Sequence, residues 1–382
     1  MTKVNVARGV VALAALMLAG QVVRAGGTSA LAPNLVTDLA KSLPGMPPVL
    51  DPHDIYSADR PDDVSSTIKD YPARIYVPNS GSNTVDVIDP ATYKVIDHFS
   101  VGKQPQHVTP SYDLKTLWVL NDLDDSETKI DPSTGKKGET IKVEDPYNMY
   151  YTPDGKYAIA VAERKKRLNF LNPQTMKLHH ALSLPCRGVD HMDFSADGRY
   201  LIASCEFSGS MVKVDVAKQR LIGEVKLPKA GMPQDVKLSP DGKVFYIADM
   251  DANGVYEMDG DSFKVLGFIP TGKGAHGLYA SRDSKVLYVS NRGEGTISLI
   301  SFAERRVVEK WTLPEGSTPD MGGVSVDGKV LWLSGRYSHE VYAIDTANGK
   351  LLARIPVGKG PHGLCVYPQP GRYSLGHTGV FR

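Results

Sequence analysis

The sequence predicts an all-β fold, a seven-bladed β-propeller, from three observations. First, a segment of similar sequence recurs seven times, and most copies hold a Ser-x-Asp-Gly-like turn between two apolar stretches. Second, the anchoring residues of successive copies lie 41 to 44 residues apart: Ser111, Thr152, Ser195, Ser239, Ser281, Ser325 and Tyr367. Third, apolar residues alternate with a period of two, which is typical of strands. A repeat of roughly 40 to 45 residues is the length of a four-stranded propeller blade.

The strand order also predicts how the ring closes. Seven innermost strands lead into the anchoring residues, but only six complete sets of outer strands follow them. Three unassigned strands lie upstream, at residues 74–78, 84–88 and 95–99. We therefore expect the last blade to combine the C-terminal inner strand with these N-terminal outer strands, which removes exposed sheet edges. The predicted propeller spans 74–368, after a proline-rich extended arm at 26–73 and before a C-terminal tail at 369–382.

Composition restricts the kinds of partner. The 382 residues are 41% hydrophobic and 23% charged, with 44 Lys+Arg against 43 Asp+Glu. This balance excludes a long disordered protein and provides no basic field for nucleic acid or an anionic membrane. We therefore expect a small-molecule or protein ligand, recognised by a local site at the channel mouth.

The N-terminal segment has the pattern of an export signal. Lys3 and Arg8 precede the apolar run at 9–19, and Val23 and Ala25 occupy the small-residue positions of a cleavage site. The run is shorter than the roughly 20 residues that span a bilayer. We predict that residues 1–25 are a signal peptide, that no integral membrane segment remains after cleavage, and that the mature protein is secreted or periplasmic.

Three cysteines in an oxidising compartment leave at least one unpaired. Cys186 precedes one strand and Cys205 ends the next, so an antiparallel hairpin brings their backbones together. A Cys186–Cys205 disulfide is predicted, although the side-chain directions needed for a bridge are not fixed by the sequence. Cys365 lies in an apolar run and is interpreted as a buried, inert thiol.

The starts of the inner strands carry the most specific chemical pattern. A propeller binds ligands mainly at its channel mouth, and four of the seven blades place a histidine there: His107, His191, His276 and His362. Imidazoles that converge from several blades suit a transition metal such as copper or iron. Three acidic residues at equivalent positions are predicted to orient these imidazoles: Asp190, Asp235 and Asp320.

Two arguments oppose a single metal cluster. His107 and His191 lie one position later in their repeats than His276 and His362, and adjacent strand residues face opposite sides. The histidines are equally compatible with a packing role, in which each ring contacts the neighbouring blade. His377, in the tail, cannot be located from the sequence and is not assigned to the site.

The loops between second and third strands add charge around the same mouth. Five of their residues are less well explained by turn chemistry: Glu163, Arg164, Glu206, Arg292 and Arg336. All but Arg164 are candidate catalytic residues. The arginine pair is suited to bind a carboxylate or phosphate group. Salt bridges between blades are the competing interpretation.

A family resemblance follows from the repeats. The stretches RIYVPNSGSNTVDVIDPATYKVI, LYVSNRGEGTISLI and GKGPHGL resemble the YVTN-repeat, YncE-like family of secreted seven-bladed propellers. They are also similar, more distantly, to the haem-binding propeller domain of periplasmic nitrite reductases and its relatives in haem maturation. The resemblance covers about residues 70 to 368. The resemblance implies the fold but not the activity, because one fold hosts many functions.

Three functions follow as hypotheses. The first is a copper- or iron-dependent oxidoreductase that uses the four histidines. The second is a non-catalytic binding or scaffold propeller that engages a ligand through the same face. The third is a haem-binding or haem-maturation protein. Whether the protein is an enzyme stays open at this stage.

Overall fold

The computed structural model describes residues 42–229, 231–377 and 380–382. Within them the chain forms seven four-stranded antiparallel sheets arranged as the blades of a ring. Helical structure in these residues is confined to two 3-10 turns, Asp122–Asp124 and Glu206–Ser208. The predicted all-β, seven-bladed propeller is confirmed.

We number the strands β1 to β28 in chain order and the blades by their inner strands. Listed from inner to outer strand, blades 1 to 3 are β4 (Pro105–Pro110), β5 (Leu117–Asn121), β6 (Ser126–Asp131) and β7 (Lys136–Lys142); β8 (Asn148–Tyr151), β9 (Ala158–Ala162), β10 (Arg167–Leu171) and β11 (Leu178–Ser183); and β12 (Val189–Phe194), β13 (Tyr200–Cys205), β14 (Ser210–Asp215) and β15 (Arg220–Lys226). Blades 4 and 5 are β16 (Pro233–Leu238), β17 (Val244–Asp249), β18 (Gly254–Asp259) and β19 (Lys264–Pro270); and β20 (Ala275–Ala280), β21 (Val286–Asn291), β22 (Thr296–Ser301) and β23 (Arg306–Thr312). Blades 6 and 7 are β24 (Pro319–Val324), β25 (Val330–Gly335), β26 (Glu340–Asp345) and β27 (Leu351–Pro356); and β28 (Cys365–Tyr367), β1 (Arg74–Asn79), β2 (Thr84–Asp89) and β3 (Lys94–Ser100).

Blade 7 closes the ring in the predicted way. β28 pairs antiparallel with β1, with Ile75 opposite Val366. β1 also packs against β4 of blade 1, and β28 packs against β24 of blade 6. Both ends of the propeller sequence are therefore held in one sheet, which leaves the circle of inner strands without an open edge.

The turns between first and second strands explain the Ser, Asp and Gly of the repeat. In blade 3, Ser195 Oγ donates to Asp197 Oδ1 at 2.6 Å, and the same oxygen accepts the N–H of Arg199 at 3.1 Å. Gly198 follows with φ +70°, a conformation that is strained for other residues. The same Ser-to-Asp bond recurs in blades 4 and 5 at 2.6 and 2.7 Å. These bonds fix each hairpin.

Antiparallel pairing gives the ring two different faces. Pro105, at the start of β4, lies opposite Asn121, at the end of β5. The inner strands therefore begin on the same face as the loops between second and third strands, and we call this the mouth face. The opposite face, which carries the Ser-x-Asp-Gly turns, is the turn face.

The described part of the arm, residues 42–73, lies along the turn face. The N–H of Leu43 donates to the carbonyl of Asp197 at 2.8 Å, and that of Asp62 donates to Val326 at 3.0 Å. Both acceptors belong to turns between first and second strands. The arm therefore covers the side of the ring away from the mouth.

Most of the predicted N-terminal features cannot be compared with the structure. The predicted signal peptide, 1–25, lies outside the described residues, as do residues 26–41 of the predicted arm. Among the residues that are described, no helix is both long and apolar enough to cross a membrane.

One position that is buried and apolar in six blades carries a carboxylate in the seventh. At the second residue of the third strand, six blades place a buried apolar side chain: Val85, Leu168, Met211, Val255, Ile297 and Val341. Blade 1 has Glu127 there, fully buried, and neither carboxylate oxygen has a hydrogen-bond partner. Burial raises the pKa of Glu127 from 4.5 to about 8. The side chain is therefore mostly protonated at neutral pH.

Candidate metal centre in the channel

β-bulges interrupt the side-chain alternation at the starts of the strands that carry His107, His191 and His276. The strand pairing of β4 shifts between Pro105 and His107, that of β12 between Val189 and Met192, and that of β20 between Ala275 and Leu278. Each shift places one extra residue on the inner strand, which interrupts the alternation of side chains. The expectation that His107 and His191 face away from the other two histidines is therefore wrong.

The four predicted histidines lie together. The ring centre of His107 is 4.8 Å from that of His362 and 5.4 Å from that of His191. The ring of His276 is 5.9 Å from His362 and 6.4 Å from His191. All four side chains are buried. The rings of blades 1, 3, 5 and 7 thus form one cluster on the propeller axis.

Glycine makes room for the close approach of blades 1 and 7. A side-chain Cβ at Gly363 would lie 1.9 Å from Nδ1 of His107. The N–H of Gly363 donates to the carbonyl of Gln106 at 2.9 Å, which ties the two strand starts together. The Gly after His362 in the sequence is therefore required by the ring of the neighbouring blade.

A fifth imidazole, His377, comes from the tail. Its ring centre lies 4.6 Å from that of His191 and 5.0 Å from that of His107. The backbone N–H of His377 donates to the carbonyl of Met149 in β8 at 3.0 Å. A Cβ on the preceding residue, Gly376, would lie 2.3 Å from that carbonyl oxygen. This glycine was the one local sign that the tail approaches another backbone closely, and it did not indicate which backbone.

The five imidazoles and one carboxylate form two donor groups. The first group, which we call the imidazole triad, is His107, His191 and His377, and their ligand atoms lie within 4.8 Å of one another. The second, which we call the Asp320 group, is His276, Asp320 and His362, with the same limit. All six side chains are buried.

Several nitrogens of the imidazole triad have no hydrogen-bond partner among the described residues. Neither ring nitrogen of His107 and neither ring nitrogen of His191 makes a hydrogen bond, although Nδ1 of His191 lies beside the Asp190 carboxylate, and Nε2 of His377 also lacks a partner. Nδ1 of His377 lies 3.2 Å from the side-chain nitrogen of Asn148. Buried polar atoms are almost always paired, so these atoms fit the role of ligands to a bound ion.

The pKa of His191 is shifted in the opposite direction from those of His107 and His377. Burial lowers the pKa of His107 and of His377 well below 6.5, with a further contribution from the charge of His191. Burial also acts to lower the pKa of His191, but the carboxylates of Asp190, which lies 2.8 Å from its Nδ1, Asp235 and Glu206 together outweigh burial and raise that pKa. His107 and His377 are therefore neutral, and Asp190 orients Nε2 of His191 away from itself.

The Asp320 group contains its own ion pairs, although Oδ2 of Asp320 and Nδ1 of His362 have no hydrogen-bond partner among the described residues. Asp320 Oδ1 lies 3.1 Å from Nδ1 of His276 and 3.1 Å from Nη1 of Arg292. Its other oxygen lies 3.6 Å from Nε2 of His362. Burial lowers the pKa of His276 and of His362 well below 6.5. The guanidinium of Arg292 already neutralises the carboxylate, so this group is a weaker cation site than the triad.

The three acidic residues predicted to orient imidazoles have different surroundings. Asp190 lies beside His191, and Asp320 lies beside His276. Asp235 instead accepts backbone N–H groups from Val236 and Leu278, each at 2.9 Å. Its Oδ1 is also 3.8 Å from Nε2 of His377. Asp235 therefore joins two blades and approaches only the tail histidine.

The candidate catalytic residues lie around the mouth. Burial raises the pKa of Glu163 to about 8 and that of Glu206 to about 7, and the charge of Asp190 adds to both shifts. Arg292 binds Asp320, and Arg336 Nη1 lies 3.5 Å from Oε1 of Gln106. Arg292 thus forms an ion pair between blades and also borders a groove of about 620 Å³ with Tyr337 and Thr318.

Tyr147 covers the cluster on its mouth side. Its ring centre lies 5.5 Å from His107, 6.3 Å from His191 and 6.4 Å from His362. The tyrosine is half-buried, whereas the imidazoles behind it are buried. Its ring therefore stands between the cluster and the mouth.

A disulfide lies next to the triad. Cys186 and Cys205 are bonded, with Cα atoms 6.0 Å apart. Cys205 pairs with Val189 at the start of β12, two residues before His191. Cys365 is buried, and burial raises the pKa of its thiol. The bond therefore ties the start of β12 to the segment before it.

Fold and site together define an all-β propeller that carries a buried cluster of imidazoles on its axis. The family model for YNCE-like beta-propellers matches residues 56–371. The chain belongs to this family.

Curated relatives share modest identity. Antigen Lp49 of Leptospira interrogans is 29% identical over 174 residues, which are 39% of this chain and 37% of that protein. The uncharacterized protein YncE of Salmonella typhi is 23% identical over 272 residues, 65% of this chain and 73% of that protein. The match thus spans little more than a third of the Leptospira antigen.

Solved structures share the propeller. Hydrazine synthase of Kuenenia stuttgartiensis has a TM-score of 0.63 at 21% identity, over 71% of this chain and 92% of that one. Dihydro-heme d1 dehydrogenase NirN, in complex with DHE, has a TM-score of 0.59 at 16% identity, over 76% and 74%. At these identities the likeness extends to the fold alone.

Proposed function

We propose that this protein binds a transition-metal ion in its channel through His107, His191 and His377. One observation carries the proposal: three fully buried imidazoles from three parts of the chain bring ligand atoms within 4.8 Å of one another. Metal–imidazole bonds are about 2 Å long, so small side-chain shifts bring all three nitrogens onto one ion.

The donor set favours copper. Imidazole nitrogen suits copper, zinc and iron, whereas the common non-haem iron site adds a carboxylate to two histidines. The triad itself contains no carboxylate: Asp190 lies beside Nδ1 of His191, and Asp235 Oδ1 lies 3.8 Å from Nε2 of His377. Copper is the first expectation because Cu²⁺ generally binds a given nitrogen site more tightly than Zn²⁺ or Fe²⁺ does, with zinc and iron as the competing ions.

The packing of the rings favours an ion over haem. Ring centres in the triad are 4.6 to 5.4 Å apart, and Tyr147 covers them from the mouth. A porphyrin plane needs an open face beside its axial histidine. The similarity to NirN supports the fold and does not supply such a face here.

A redox role depends on the identity of the ion. Copper or iron in the triad would supply one-electron chemistry, which is the basis for an oxidoreductase function. The groove beside Arg292 supports an anionic small molecule at the mouth, because Arg292 borders it and contacts Asp320. Burial of every candidate ligand supports metal binding more strongly than direct reaction of a substrate at the ion.

Export to an oxidising compartment is part of the proposal. The basic and apolar pattern of residues 1–25 and the Cys186–Cys205 bond both support it. Fractionation of the native host, with thiol labelling of the recovered protein, tests it. Protein found in the cytoplasm with all three thiols free would contradict export.

Elemental analysis tests the metal site. The protein is purified without added metal, analysed, then stripped and titrated with Cu(II), Fe(II) and Zn(II) against a competing chelator. We expect one ion per chain in the wild type and at least a hundredfold weaker binding in His191→Ala. His180→Ala, an exposed histidine of β11, is the matched control and should bind as the wild type does. A wild type that binds none of the three ions, or a His191→Ala protein that binds equally well, would refute the site.

A further inference from the structure

The tail reaches the channel from the turn face and follows the inner strand of blade 2. The N–H of Ser374 donates to the carbonyl of Tyr112, 3.1 Å away in the blade 1 turn. The N–H of Tyr151 then donates to Leu375 at 2.9 Å, and that of His377 to Met149 at 3.0 Å. The tail therefore extends along β8 toward the mouth and ends this path at His377.

The tail then returns alongside itself. The N–H of Leu375 donates to Val380 at 2.9 Å, and the N–H of Arg372 donates to the carbonyl of Arg382 at 2.9 Å. Tyr373, Leu375 and Val380 join the apolar core between blades 2 and 3. Residues 372–382, apart from Thr378 and Gly379, which are not described, thus form a hairpin-like segment. We call this segment the tail plug.

A buried ion pair anchors the plug. Arg382 Nη2 lies 2.9 Å from Asp193 Oδ1, and its guanidinium lies 4.9 Å from the ring centre of Tyr56 in the arm. The Asp193 side chain is fully buried and that of Arg382 is 7% exposed. Asp193 belongs to β12, the strand that carries His191. The ion pair therefore connects the plug to the strand that supplies a second triad ligand.

We infer that docking of the tail plug completes the metal centre, with His377 as a ligand and Arg382 as a positioning residue. The inference rests on the proposed function. An undocked plug leaves two triad ligands, so an ion binds more tightly to the docked state. By linkage, the ion stabilises docking as much as docking strengthens binding of the ion.

The plug also closes the channel on the side away from Tyr147. In the docked state the plug separates the ion from the turn face, and Tyr147 separates it from the mouth face. Loading and release of the ion then follow the opening of one of these two closures. Loss of Arg382 removes the ion pair that holds the plug and leaves the buried Asp193 carboxylate with only its hydrogen bonds from the backbone N–H groups of Phe194 and Leu238 and the more distant charge of Lys237.

The test combines copper titration with hydrogen exchange of residues 373–377. The variants are Arg382→Ala, Arg382→Lys and His377→Ala, and Arg372→Ala is the matched control, because Arg372 lies in the same segment and stacks near Tyr373. We expect Arg382→Ala to weaken Cu(II) binding about 10- to 100-fold and to accelerate exchange in the plug. Arg382→Lys should recover part of both effects. His377→Ala should reduce the imidazole nitrogens coupled to Cu(II) in the EPR spectrum from three to two.

The outcomes separate the two proposals. A wild type that binds no metal refutes the proposed function, and plug exchange in the metal-free Arg382 variants still reports whether the ion pair holds the plug. If the wild type binds copper and Arg382→Ala binds it equally well with unchanged plug exchange, the plug inference alone is refuted. Equal binding by His377→Ala would refute the inference and would also remove His377 from the proposed ligand set. Plug exchange that copper does not slow in the wild type would also refute the inference, because linkage requires slowing.

Discussion

The imidazole of His377 lies with its ring centre 4.6 Å from that of His191, although one residue belongs to the tail and the other to the inner strand of blade 3. No local sequence pattern connects them. They meet because the closed ring creates an axial channel and the tail re-enters it along β8. The candidate centre is therefore a property of the assembled propeller.

Asp190 should increase the affinity of His191 for a metal ion. Its carboxylate lies 2.8 Å from Nδ1 of His191, so Asp190→Asn keeps an acceptor but removes the charge that makes Nε2 a better donor to metal. We expect about tenfold weaker copper binding, measured by chelator competition. Asp97→Asn, an exposed site in β3, serves as the control. Equal affinities in the two variants would mean that Asp190 does not support a ligand.

Tyr147 should control the rate of metal exchange. Its ring covers three imidazoles, so Tyr147→Ala is expected to release copper to a chelator several-fold faster, with a smaller change in equilibrium affinity. Tyr147→Phe keeps the ring and should release copper at the wild-type rate. Stopped-flow transfer of copper to a coloured chelator measures both. If the alanine variant exchanges no faster, copper leaves by another route.

The Cys186–Cys205 bond should contribute to stability. It closes a loop with a sequence separation of 19, for which cross-linking of the unfolded chain is worth about 3 kcal/mol. The double variant Cys186→Ala/Cys205→Ala should lose about that much free energy of unfolding in guanidinium titrations. Cys365→Ala, which removes the free thiol, controls for loss of a buried sulfur. Reductant should destabilise the wild type but leave the double variant unaffected.

Glu127 should make stability depend on pH. Its pKa is about 8 in the folded protein against an ordinary value of 4.5, so the wild type loses stability as pH rises from about 4.5 through about 8. Glu127→Gln removes this penalty. The variant should be close to the wild type at about pH 5 and more stable at about pH 9, by on the order of 4 kcal/mol.

The control for this prediction is Glu139→Gln, at an exposed position of β7 in the same blade. Denaturant unfolding at the two pH values measures all three proteins. A constant difference between Glu127→Gln and the wild type across this range would show that the carboxylate does not titrate with folding.

The sequence predicted the blades and their closure because both depend on local, repeated information. A turn such as Ser195 to Gly198 forms within a few residues, and its recurrence fixes the number of blades. Four of the five cluster histidines were found in the same way, from their positions four or five residues before the anchoring residues, at the starts of inner strands.

The direction of those four side chains required the tertiary structure. Period-two alternation predicted that His107 and His191 face away from His276 and His362. The extra residue at the starts of β4, β12 and β20 interrupts that alternation where His107, His191 and His276 lie, and a bulge depends on pairing with the neighbouring strand rather than on the residues of one strand.

The sequence by itself determined the seven-bladed ring and the presence of imidazoles at its axis, since each blade encodes its own turns and strand starts. Only the tertiary structure decided which imidazoles share a donor group, and it added His377. The tail has no repeat to reveal its position: Arg382 finds Asp193 and Gly376 approaches Met149 only after the channel exists. Contacts between distant segments are selected by packing in three dimensions, and a local pattern does not record them.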